Sequence, residues 1–122
     1  MSPSARAIAL AGGLMSLAAI ILAALGSHLI DMHGLQSIWQ TALNIHMFNA
    51  AALLGLAALL ANFQSRVLQW GGWLIVSGSV VFCASIYLHV SIGYLVSGVA
   101  PAGGMLMIAG WLLVVMAFVR KS

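Results

Sequence analysis

Four stretches of this chain run for roughly 20 residues each without a Lys, Arg, Asp or Glu, long enough to cross about 30 Å of hydrocarbon. They fall at 7–30, 37–61, 69–92 and 101–119. A soluble domain devotes about 25% of its residues to charge. Here the share is 4%, against 64% hydrophobic, and Arg6, Asp31, Arg66, Arg120 and Lys121 cannot build a water-facing surface. The apolar runs are continuous, with no period-2 alternation, so they read as helices and not as barrel strands. The expected fold is all-α: a bundle of four transmembrane helices forming a single integral-membrane domain over residues 1–122, with no soluble lobe.

The first stretch follows Arg6 in the manner of a signal peptide, but its apolar run exceeds the usual h-region of about 7–15 residues. It is read as an uncleaved span. Charge then sets the sidedness. Arg6 precedes the first span, Arg66 separates the second and third, and Arg120 and Lys121 follow the fourth. The loops at 31–36 and 93–100 carry no Lys or Arg. The positive-inside rule therefore predicts both termini in the cytoplasm. Four cations spread over the termini and one loop make no patch, so nucleic acid is not an expected partner. The lipid bilayer is.

Local signals refine the ends. Ser37 to Gln40 has capping-box form and predicts the start of the second helix. Pro101 suits the first turn of the fourth, where its missing N–H costs nothing, and Gly103 and Gly104 are read as merely opening that helix. Trp39, Trp70, Trp73 and Trp111 are expected in interfacial belts. Small residues four apart predict close helix packing at Gly12/Ser16, Ala19/Ala23/Ser27, Ala51/Gly55 and Ser79/Cys83.

The polar residues are unevenly placed. All four histidines and the one acid belong to the half predicted to be non-cytoplasmic: His28, Asp31, His33, His46 and His89, with Tyr87 and Tyr94 nearby. His33, beside Gly34, is expected to face water. His46 and Asn49 share a helix face at i,i+3. Gly78, Phe82, Ser85 and His89 form a stripe on the third span. Asn44 stands about 160° from His46 on a helical wheel and looks elsewhere. Since polar groups at depth face the bundle interior, His28, His46, Asn49, Ser85, Tyr87 and His89 are the candidate lining of a polar pocket.

Three readings of that set stand. The groups fasten helices by hydrogen bonds. Alternatively, histidines hold a metal or haem, as imidazole does for iron, copper and zinc, although no H-x-x-x-H or C-x-x-C spacing is present. In the third reading they receive a small molecule or quinone head group. Seven methionines could suggest copper, yet Met105 and Met107 in an apolar helix read as gap-fillers. Cys83 reads as a small, inert apolar residue, and a single cysteine excludes an intrachain disulfide. One carboxylate rules out paired-carboxylate chemistry within the chain. No Walker-type glycine loop appears. The leading expectation is a non-enzymatic accessory or structural subunit. The alternative is a ligand-binding or redox module, whose cofactor the sequence does not name.

Ordered short motifs carry a resemblance. These are "GSHL" at 26–29, "WQTAL" at 39–43, "IHMFN" at 45–49, "FCASIY" at 82–87 and "APAGG" at 100–104, followed by Gly110-Trp111. Their order and spacing, over about Leu10 to Arg120, resemble the YgdD-like small inner-membrane proteins. That domain-of-unknown-function family includes the vertebrate transmembrane protein 256. The resemblance implies a bacterial inner-membrane location and the four-helix fold, with no settled activity. Against the family pattern, Ile45 replaces a tyrosine, His46 a glutamine and Asn49 a histidine. Cys83, Ala84 and Ala100 replace Ser, Gly and Thr. His28, Ser85, Tyr87 and Pro101 are kept.

Overall fold

The structure is a computed structural model that describes residues 2–28, 34–63, 65–93 and 98–119. These form four helices: α1 (Pro3–His28), α2 (Gln36–Asn62), α3 (Arg66–Ile92) and α4 (Val99–Val119). All four are long and apolar enough to cross a membrane. At 1.5 Å per residue they measure about 30 to 40 Å. The fold is all-α, as the uncharged stretches predict. Asp31, His33, Tyr94, Arg120 and Lys121, together with most of both loops at the far end, lie outside the described residues.

The helix starts correct the sequence reading in three places. Arg6 and Arg66 belong to the first turns of α1 and α3, and no longer count as loop residues. Helix α3 begins earlier than Gln69 because Ser65 caps it, its Oγ accepting from the Leu68 N–H at 3.1 Å. The expected capping box at Ser37 does not form. Helix α2 starts one residue before it, with Leu35 at the cap and no side-chain cap bond. Inside the helix, the Ser37 carbonyl accepts from Thr41 Oγ1 and Gln40 donates to Asn44 Oδ1. At the other end of α3 the chain leaves through Gly93 at φ 76°, a left-handed position that suits glycine.

Packing follows the small residues. Helix α1 lies along α2, α2 against α3, and α3 along α4. Helices α1 and α3 meet only lightly, and among the described residues α1 and α4 do not meet. The α3–α4 seam is the tightest. A Cβ on Gly71 would stand 2.9 Å from the Gly110 carbonyl oxygen, and one on Gly103 would stand 2.5 Å from the Phe82 nitrogen and 2.9 Å from the Gly78 carbonyl oxygen. Two glycines seven apart on each antiparallel helix thus let the backbones touch. Gly103 closes this seam, a role beyond opening α4. Gly12 performs the same service between α1 and α2, where a Cβ would stand 3.0 Å from the Ala50 carbonyl oxygen. Ala51 and Gly55, expected at an interface, are exposed, and nothing lies within 4 Å of where a Gly55 Cβ would be.

The core divides lengthwise into two clusters. At the end bearing Arg6 and Arg66, Ala5 and Ile8 pack with Leu53, Leu56, Leu60, Leu68 and Ile75. At the far end, Ala19 packs with Trp39, Ala42, Leu43, Cys83, Tyr87 and Val90. Trp39 is therefore a core residue, 4% exposed, and does not belong to an interfacial belt. Trp70 and Trp73 are exposed near the start of α3, as the belt reading expects. Between the two clusters lie the buried polar side chains.

Candidate functional site: a polar junction inside the bundle

Asn49 is 2% exposed and meets side chains from two other helices. Its Nδ2 donates to Ser79 Oγ on α3 at 2.8 Å and to Met107 Sδ on α4 at 3.1 Å. Its Oδ1 accepts from Trp111 Nε1 on α4 at 3.1 Å. Indole N–H is a donor only, so the amide oxygen must face Trp111, and that fixes the orientation of the whole group. Both amide hydrogens are engaged, and so is the oxygen. Trp111 gains a further neighbour in Phe48, with ring centroids 5.8 Å apart. No Cα of α2 comes within 8 Å of a Cα of α4 among the described residues. Met107, Trp111 and Phe48 bridge that gap. Trp111 thus also leaves the interfacial belt that the sequence suggests.

One turn earlier on α2, His46 is 7% exposed. Its Nδ1 pairs with the Tyr87 hydroxyl on α3 at 2.9 Å, and Tyr87 in turn packs on Trp39 with centroids 4.8 Å apart. Cys83, on the same face of α3 as Ser79, donates weakly to the Ala42 carbonyl at 3.4 Å. It is buried and behaves as a packing residue.

The six candidates therefore separate. His46 and Tyr87 come together, and Asn49 joins Ser79, Met107 and Trp111 instead of a histidine. Ser85 returns its hydroxyl to its own helix, donating to the Phe82 carbonyl at 2.8 Å. His28 is exposed at the last residue of α1. His89 is half-buried, and its Nδ1 is buried without a partner among the described residues. None of these three hydrogen-bonds to His46, Asn49 or Tyr87 among the described residues, so the expected single pocket is divided. Among those residues no group of three His, Cys, Asp or Glu is placed to share a metal ion.

Sequence reasoning missed Ser79, Met107 and Trp111 as partners of Asn49. A signal existed: Trp111 stands mid-span, too deep for a belt, and an indole N–H at depth needs an acceptor.

Comparison with known sequences identifies the family. The profile of the family described as "Protein of unknown function (DUF423)" matches residues 22–104. The chain belongs to the DUF423 family. Among the relatives of this DUF423 protein, a UPF0382 membrane protein of Staphylococcus aureus is 33% identical over 103 residues, 77% of this chain and 84% of the relative. The UPF0382 membrane protein YwdK of Bacillus subtilis is 30% identical over 115 residues, 89% of this chain and 93% of YwdK. The UPF0382 inner membrane protein YgdD of Escherichia coli is 32% identical over 105 residues, 83% and 80% of the two chains. No solved structure matches. The membership agrees with the resemblance carried by the ordered motifs. The profile spans His46, Asn49, Ser79, Tyr87 and Gly103, whereas Met107 and Trp111 lie beyond it. This DUF423 protein is a multi-pass membrane protein.

Proposed function

We propose that this protein is a small, non-enzymatic accessory subunit of the bacterial inner membrane, a rigid bundle that packs against other membrane proteins. The observation that carries the reading is the Asn49 junction. A buried amide of the membrane interior is spent on holding α2, α3 and α4 together, with both its hydrogens donated and its oxygen accepting. An interior organised for turnover would leave a nucleophile, base or acceptor aimed at open space. The outer faces offer apolar surface for neighbours: Leu14, Leu17 and Ile20 on α1, and Met105, Ile108 and Leu112 on α4, are each more than half exposed.

In this reading both termini face the cytoplasm, because Arg6 and Arg66 cluster at one end of the bundle. A thiol introduced at Gly34 then reacts with an impermeant maleimide added to intact cells, and one beside Arg66 does not. The subunit role is tested by purification in mild detergent at native expression, followed by mass spectrometry. A stoichiometric membrane-protein partner is expected. Recovery of the chain alone would overturn the accessory role.

A further inference from the structure

Arg66 finds no acidic side chain within its own chain. The sequence holds one, Asp31, three residues beyond the end of α1. Helix α1 begins beside the start of α3, where Ser4 meets Gln69 and Ile8 meets Gly72. It has 26 residues, so its other end is about 39 Å away. Three residues reach back at most about 11 Å. Asp31 therefore cannot neutralise Arg66. Beside the arginine lies a cleft of about 640 Å³, lined also by Ser65, Gln69, Trp70 and Trp73. Positions 66, 69, 70 and 73 share one face of α3, and Arg66, Trp70 and Trp73 are exposed on it.

We propose that this cleft binds the head of an anionic phospholipid of the phosphatidylglycerol type, with Arg66 on the phosphate and Trp70 and Trp73 along the glycerol and the first acyl carbons. The side chains lining it are one-sided in their chemistry. The guanidinium and both indoles are donors only. Gln69 Oε1 accepts from Ser4 Oγ at 3.2 Å, which leaves the two Nε2 hydrogens over. Ser65 Oγ accepts from the Leu68 N–H, which leaves its own hydrogen over. Depth agrees with the assignment. Helix α3 has 27 residues, about 40 Å against about 30 Å of hydrocarbon, so about 5 Å stands in the head-group region at each end. Arg66 is the first residue of α3 and belongs to that layer. Trp70 and Trp73 follow about 6 and 10 Å deeper, at the interface that indoles favour.

Charge complementarity sets the choice of occupant. A phosphodiester brings acceptors and a negative charge to a lining of donors and a positive one, and a guanidinium can meet it through two parallel hydrogen bonds. An apolar occupant would leave that cation without a counter-charge. A zwitterionic head also offers a phosphate, but its ammonium would need a carboxylate, and the lining has none. A free oxyanion would leave the exposed indole faces unused. The site does not depend on the accessory role, since a lone bundle and a subunit carry the same cleft.

The test uses the full chain in detergent micelles, titrated with dioleoyl phosphatidylglycerol or dioleoyl phosphatidylcholine and read by native mass spectrometry. One retained phosphatidylglycerol per chain is expected, held about tenfold more tightly than phosphatidylcholine. Arg66→Gln removes that preference. Arg6→Gln, the same loss of charge at the same end of the bundle, keeps it. Both arginines are exposed in first helical turns, so the fold is retained, checked by an unchanged thermal midpoint. Equal affinity of the wild type for the two lipids would overturn the proposal. So would equal losses in the two variants, the mark of net charge without a site. Displacement of the bound lipid by millimolar inorganic phosphate would overturn the lipid as occupant in favour of a free oxyanion.

Discussion

The α3–α4 seam and the Asn49 junction hold neighbouring helices together by opposite means. At the seam the contacting residues themselves carry no side chain: Gly71, Gly78, Gly103 and Gly110 let two backbones meet, flanked by Ile75, Met107 and Val114, and the attraction is dispersion between closely packed atoms. At the junction the backbones of α2 and α4 stay apart, and Asn49, Met107 and Trp111 reach across. The hydrophobic effect distinguishes neither, because lipid tails are as apolar as leucine. What differs is tolerance. A hydrogen-bonded bridge can be lost while its neighbours relax, but a backbone contact has no flexible atom to move. The seam should therefore be the more brittle of the two, although it looks chemically blank.

Gly103→Ala gives the largest expected effect. Its methyl would stand 2.5 Å from the Phe82 nitrogen and 2.9 Å from the Phe82 Cα, both backbone atoms, so α3 and α4 must separate. Overpacking costs about 1–3 kcal/mol and sometimes more. A loss near about 3 kcal/mol is expected, despite alanine's better helix propensity. Reversible unfolding in mixed micelles, followed by tryptophan fluorescence, measures it.

Asn49→Ala comes next. It deletes three hydrogen bonds and leaves the Trp111 N–H and the Ser79 hydroxyl without this partner. Interhelical hydrogen bonds in membranes average about 0.6 kcal/mol, so a loss of about 2 kcal/mol is expected. The ranking is what matters: one added methyl at the seam should cost more than the whole amide. The reverse order would break the comparison. Trp111→Phe keeps the ring against Phe48 and removes only the indole N–H, so it should cost about 1 kcal/mol or less in the same assay. A Trp111→Phe loss equal to that of Asn49→Ala would show that the amide acts through Trp111 alone.

The two regions also differ in how far the sequence discloses them. Span number and length follow from solvation: an uncharged stretch of this size has one stable environment, and the four helices lie where those stretches fall. The glycine seam was not read: Gly71/Gly78 and Gly103/Gly110 repeat at seven, whereas the expected packing pairs stand four apart and include Ala51 and Gly55. Those two sit on a face turned away from the bundle, because a small-residue pair does not specify which side of its helix it serves. The junction was half legible. His46 and Asn49 were visible as buried polar groups, while their partners depend on how an antiparallel register aligns residues 30 or more positions apart in the chain. His46 to Tyr87 spans 41 positions, and Asn49 to Trp111 spans 62. Wheel geometry places side chains on a face but does not slide one helix along another. Trp39 shows the converse error, its position near a helix end suggesting an interface that the α1–α2–α3 packing covers.

The smallest expected effect is at Gly55, and it sharpens the comparison from the other side. This glycine has the sequence context of a packing residue, with Ala51 four positions before it, yet a Cβ there meets nothing within 4 Å. Glycine in a helix interior is less favourable than alanine by about 0.5–1 kcal/mol. Gly55→Ala should therefore leave the isolated protein's stability unchanged or raise it by up to about that amount, where the same glycine-to-alanine change at Gly103 breaks the seam. Equal losses at Gly55 and Gly103 would mean that the Ala51–Gly55 face is covered in the purified protein, and a second copy of the chain is then the only helix present to cover it. Cross-linking through a cysteine placed at Gly55 would detect that copy directly.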